Sequence, residues 1–132
     1  MTQFLLSLLT LAALSAASDP IELSVGETVA IDGMNLTLTF TAVPRDSRCP
    51  RDVNCIVAGE ATVVLEATHN GHKTELTFKV PPGNQAEQTL DNISIKIIQL
   101  EPETDSTKKI NPTDYTATIT ITQNGDRSNL SI

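Results

Sequence analysis

In this 132-residue chain, two cysteines, two histidines and a cluster of arginines are the residues whose chemistry could reach beyond packing. Cys49 and Cys55 lie within the stretch DSRCPRDVNCIVAGE, residues 46–60, and five residues separate them. The spacing is not C-x-x-C, so the usual redox motif is missing. Two thiols do not fill a tetrahedral zinc shell, and the loop has no histidine to help them. A disulfide, a partial metal site and a redox pair all remain readings of the two thiols, and in an exported chain the disulfide is the default. Closing so short a loop would stabilise the fold by about 2.4 kcal/mol on the chain-entropy account. Pro50 inside the ring fixes one φ angle and stiffens it further.

The same stretch, with Arg45 just ahead, gathers Arg45, Arg48 and Arg51 beside Asp46 and Asp52. These five residues form the candidate binding loop, since loops on a stiff scaffold often carry recognition. An arginine at the tip of a closed loop also suits a trypsin-like specificity pocket, so Arg48 or Arg51 could serve a protease inhibitor. Asp46 and Asp52 could instead pair with the arginines at the surface. On this reading Arg48 and Arg51 are exposed, and replacing both should leave the fold within about 0.5 kcal/mol of its starting stability.

His69 and His72 flank Asn70-Gly71. As cross-strand neighbours they could share a divalent metal, and Zn, Cu and Ni suit imidazole. Only two ligands are in view, so a solvated pair at a hairpin tip is the plainer reading. The run EPETD, residues 101–105, offers carboxylates but not the spaced D-x-D-x-D-G pattern of a calcium loop. No G-x-S-x-G, H-E-x-x-H or phosphate-cradling glycine loop occurs. A non-catalytic chain without cofactor is therefore expected. Asn111-Pro112-Thr113 resembles a motif of the chagasin family of cysteine-protease inhibitors, but its companion motifs are missing, and the triplet reads as turn chemistry.

Residues 46–61, in the pattern D-S-R-C-P-x-x-V-x-C-I-x-A-G-x-A, resemble a signature of small exported bacterial proteins, many of them lipoproteins. The likeness continues more loosely through residues 36–43 and 93–115. In that family the residue before A-G is usually Trp, and here it is Val57. The resemblance implies an exported β-domain without an assigned role.

Composition narrows the partners. Residues 4–14, FLLSLLTLAAL, form an apolar run of eleven, too short to span a bilayer as a helix. The small residues Ser15-Ala16-Ala17 follow, and residues 1–17 read as a cleaved secretory signal despite an n-region without Lys or Arg. The net charge of −7 falls wholly on residues after Ala17. That balance argues against nucleic acid and anionic membrane surfaces. With three Phe, one Tyr and no Trp, stacking surfaces for bases or sugars are also scarce. The expected partner is a protein, with no membrane insertion after signal cleavage and a periplasmic or secreted location.

The elements that must hold the loop are strands. Ile21, Leu23 and Val25 alternate with polar residues, then Val29 and Ile31, then Leu36 to Ala42 against threonines. Pro44 should end that ladder because it lacks an N–H. Residues 61–79 fold about Asn70-Gly71, a two-residue type I′ hairpin signal. That turn pairs His69 with His72, Ala67 with Thr74, Leu65 with Leu76 and Val63 with Phe78. Ile93, Ile95 and Ile97 alternate before Ile98 and Leu100 switch face, marking a bulge or a strand buried on both sides. Tyr115 to Ile121 form the last strand, and residues 125–132 a flexible tail. The pattern predicts one all-β domain over residues 18–124, an antiparallel β-sandwich of about seven strands of immunoglobulin-like type, with a small closed barrel as alternative.

Overall fold

The computed structural model describes residues 19–82 and 85–123. The expected signal segment, residues 1–17, and the expected tail, residues 125–132, lie outside the described residues. Eight strands follow in order: β1 (Ile21–Ser24), β2 (Thr28–Ile31), β3 (Leu36–Asp46), β4 (Ala61–His69), β5 (His72–Val80), β6 (Ala86–Leu90), β7 (Ile93–Glu101) and β8 (Thr116–Gln123). They form two antiparallel four-stranded sheets, ordered β1-β8-β7-β6 and β2-β3-β4-β5. The fold is a β-sandwich, and it does not close into a barrel. The strand beyond the expected seven is β6, whose sequence AEQTL lacks the β-branched alternation of its neighbours.

Among the described residues the chain changes sheet between β1 and β2 and between β5 and β6, and the other connections join hydrogen-bonded neighbours. At the first crossing the handover takes one residue. Val25 N donates to Tyr115 O in one sheet and Gly26 N to Phe40 O in the other, with Gly26 at φ +92°. At the second crossing Gln88 Nε2 on β6 donates to Thr77 O on β5 at 2.8 Å.

Alternating strand residues fill the space between the sheets. Leu36, Leu38 and Phe40 of β3, Val63 and Leu65 of β4 and Phe78 of β5 face Ile93, Ile95 and Ile97 of β7 and Ile119 and Ile121 of β8, all buried. The β4–β5 hairpin has the register that the turn demands, with His69 opposite His72 and Val63 opposite Phe78. Asn70 and Gly71 both take positive φ, 53° and 87°, as a type I′ turn requires. In β7 the ladder to β8 slips between Ile97 and Gln99; Ile98 is the extra residue and stays partly exposed, and Leu100 is thereby brought into the core.

Two expectations are corrected. Pro44 does not end β3. The strand runs on to Asp46, and its register to β4 shifts between Phe40 and Ala42 and again between Ala42 and Arg45. The proline sits in this irregular stretch, where a missing N–H is tolerated. His69 is not screened by water at a hairpin tip. It is buried, and its Nδ1 lies 2.7 Å from Asp91 Oδ2. Asp91 belongs to the β6–β7 turn, so the contact ties the two sheets at one pole of the sandwich. His72 is exposed. Among the described residues no three His, Cys, Asp or Glu side chains are grouped to hold a metal.

Candidate functional site

The opposite pole carries residues 46–60. The β3–β4 ladder does not stop at the pair Asp46 and Ala61. Ser47 N donates to Glu60 O at 2.8 Å, and Cys49 N to Ala58 O at 2.8 Å. Ser47 Oγ adds a bond to Glu60 O at 2.9 Å. Gly59, at φ +73°, lets the two sides close. A Cβ there would lie 1.8 Å from Ser47 O. Above this base Cys49 and Cys55 are joined as a disulfide, with their Cα atoms 5.9 Å apart. That separation is ordinary for a disulfide.

Arg48 is where the structure most changes the reading of the loop. The expectation of an exposed arginine fails, because the residue is only 7% exposed. Its Nε donates to Asp46 Oδ1 at 2.8 Å and its Nη2 to Asp46 Oδ2 at 2.7 Å, a two-pronged charge-assisted pair. Nη1 reaches Leu100 O at 3.1 Å and Nη2 reaches Pro102 O at 3.0 Å. Tyr115 donates its hydroxyl to Asp46 Oδ2 at 2.9 Å. One guanidinium thus pins the loop base to the end of β7, while Asp46 gathers the residue that precedes β8. The pair is structural, and Arg48 is in no position to enter a protease pocket.

Burial alone would push the Asp46 carboxyl up, but the hydrogen bonds from Arg48 and Tyr115 outweigh it and hold the carboxyl below its ordinary value. Its stabilising contribution is present above about pH 4, the unfolded value, and is lost as the pH falls through the folded one. Tyr115 shows the reverse. Burial, the bond to Asp46 and the charge of Asp46 push its phenol from 10.0 up to about 12. Its contribution is whole below about pH 10 and disappears as the pH rises through the folded value. The chain has one tyrosine and no tryptophan, so ultraviolet absorbance reads this group alone. The native protein should ionise with a midpoint about two units above that of the urea-unfolded chain. A native midpoint at the unfolded value would mean that the phenol is neither buried nor bonded to Asp46.

Residues 101–107 brace the loop from outside. Thr104 Oγ1 donates to Cys49 O at 3.1 Å, and Arg51 N donates to Thr104 O at 3.1 Å. Ser106 N donates to Asp52 Oδ1 at 2.9 Å, and the Ser106 hydroxyl donates to Asp52 Oδ2. The bonds from Ser106 hold the Asp52 carboxyl below its ordinary value. Asp105 accepts from Thr107 N at 2.8 Å, so its carboxylate serves the turn of its own loop. Arg51 lies 3.5 Å from Glu103 and 3.8 Å from Asp105, but its side chain is 64% exposed and the pairs are weak. Arg45 is exposed on β3 opposite Thr62.

The candidate loop residues therefore divide. Asp46, Arg48 and Asp52 are anchors, and Arg45 and Arg51 remain open to solvent. The backbone at Arg51 lies within a turn closed by Val53 N donating to Pro50 O at 3.2 Å. That bent shape differs from the extended strand that peptide-binding clefts usually align.

The loop also carries an apolar feature that its charges overshadow in the sequence. Val53, Ile56 and Val57 are the large apolar side chains exposed among the described residues, at 43%, 103% and 71%. All three sit on this one loop. The signal available in the sequence was the pair Ile56-Val57 directly after Cys55, apolar residues outside any strand alternation.

Because backbone pairing and Arg48 hold the loop base, and Asp52 ties the ring to Ser106, the disulfide shapes the tip more than the domain. Replacing both cysteines with serine should lower stability by about 2 kcal/mol and leave a cooperative melt. A chain that fails to fold at 25 °C would show that the base depends on the covalent bond. No protein-family model matches the chain, and neither a curated protein nor a solved structure matches it.

Proposed function

We propose that the protein is an exported, non-catalytic binding module of the bacterial envelope, and that its contact is the tip of the disulfide loop. The observation that carries this reading is the fully exposed Ile56, with Val57 and Val53 exposed on the same loop, which is closed by a covalent bond and anchored by a buried ion pair. Apolar side chains grouped on a surface mark interaction sites more often than scattered ones do. Bracing the loop before binding reduces the entropy lost on contact. Export is supported by the apolar run at residues 4–14, by the disulfide, and by the signature over residues 46–61, in which Val57 holds the place of the usual tryptophan.

The test places a photo-crosslinking residue at Asn54, between the cysteines, in cells that export the protein. Irradiation should give a defined adduct. The adduct should vanish in the double variant Ile56→Asp, Val57→Asp, while the melting curve stays within about 0.5 kcal/mol of the parent, as exposed substitutions do. An adduct that persists in the double variant would remove the tip from the contact.

A further inference from the structure

The pole that carries the tip also carries what a tip of this kind would fill. Between the disulfide loop and the end of β5 lies an open groove of about 330 Å³, lined by apolar Pro81, Pro82 and Ile98 and by polar Arg48, Gln99 and Thr104. Arg48, Cys49 and Arg51 line it, so the groove is bordered by the loop that carries the apolar tip. At the rim stand a cation and an anion of equal freedom, Arg51 and Glu103, with side chains 64% and 65% exposed. We infer that this surface is self-complementary and that the tip docks a second copy of the chain. The inference rests on the binding reading above and names the partner.

A foreign partner would need its own apolar projection, its own groove of mixed lining, and one charge of each sign in register. This chain holds all four at one pole. About a two-fold axis through such a surface, each feature is used twice: residue i meets residue j, and j meets i. Each copy's Ile56 and Val57 would enter the other's groove beside Pro81 and Pro82. Each copy's Arg51 would meet the other's Glu103. The internal Arg51–Glu103 contact, at 3.5 Å and open to water, is weak enough to exchange for the one between copies. The Cys49–Cys55 bond keeps the projection in shape while it is unfilled.

Sedimentation velocity on the oxidised protein, from about 10 μM to 1 mM, tests this in the range expected of a small interface. The parent should shift from monomer to dimer across that range. Ile56→Asp should weaken the dimer at least tenfold. Arg51→Glu and Glu103→Arg should each do the same alone, since each sets like charges opposite one another across the axis. An equimolar mixture of those two variants should recover the dimer, because every junction in the mixed pair again joins opposite charges. An internal salt bridge predicts no such recovery on mixing. A parent that stays monomeric to 1 mM, a dimer that survives Ile56→Asp, or a mixture that associates no better than its components overturns the inference. If the Asn54 adduct then contains a different protein, the binding reading stands without a second copy. If no adduct forms, the binding reading itself has failed.

Discussion

Arg48→Ala should cost the domain about 3–5 kcal/mol, the range for removing one member of a buried ion pair. The substitution leaves Asp46 buried with only the Tyr115 hydroxyl and the Arg48 backbone N–H to satisfy it. It also strips donors from Leu100 O and Pro102 O. A domain of this size has a total stability of roughly 5–15 kcal/mol, so the variant should be close to unfolding at 37 °C. The loss should be larger at pH 7 than at pH 4, because an unpaired buried carboxyl escapes part of its penalty by taking up a proton. Urea unfolding at the two pH values measures both effects. A loss under 1 kcal/mol at pH 7 would return Arg48 to the surface and leave it free for recognition.

Gly59→Ala should be nearly as damaging, for a different reason. A non-glycine residue at φ +73° is strained by about 1–2 kcal/mol. The added Cβ would also stand 1.8 Å from Ser47 O, a backbone atom that cannot swing aside. Relief requires parting the two sides of the loop base, and with them the Ser47–Glu60 bonds, each worth about 1 kcal/mol. The sum, about 3 kcal/mol, should lower the melting temperature by roughly 15 °C. Gly71→Ala is the control. Gly71 shares the positive φ, but nothing lies within 4 Å of its added Cβ, so only the strain should appear. Equal melting temperatures for the two variants would show that the loop base gives way without cost.

The sequence made the scaffold legible and the anchors illegible, and the difference is one of range. The β4–β5 register follows from a two-residue turn and alternating side chains, all within twenty residues of chain. The slip in β7 is visible as Leu100 breaking the odd-numbered alternation of Ile93, Ile95 and Ile97. Arg48 gave no such sign. Asp-x-Arg beside a cysteine reads as an ordinary surface pair, since the carbonyls that bury the guanidinium lie 52 and 54 residues away. The same holds for His69, whose partner is 22 residues on, in a turn between other strands. Residues 101–107 read as a solvated acidic loop because their bonds to Arg48, Cys49, Arg51 and Asp52 are backbone and hydroxyl contacts that no periodicity encodes. Pro44 misled through a sound local rule, because the irregular β3 register that accommodates it is decided by the partner strand.

The pairing of β1 with β8 has a consequence for how the protein can be held. Ile21 lies opposite Ile119 and Ser24 opposite Thr116, so the described chain ends share one pole, while Tyr115 and the loop occupy the other. β8, with eight residues, separates the poles by roughly 26 Å at strand rise. A tether at either end of the described chain therefore leaves the disulfide loop pointing away from the point of attachment. Two copies fixed side by side on one surface would both lift their tips from it, whereas copies fixed on facing surfaces would bring tip to tip across the gap.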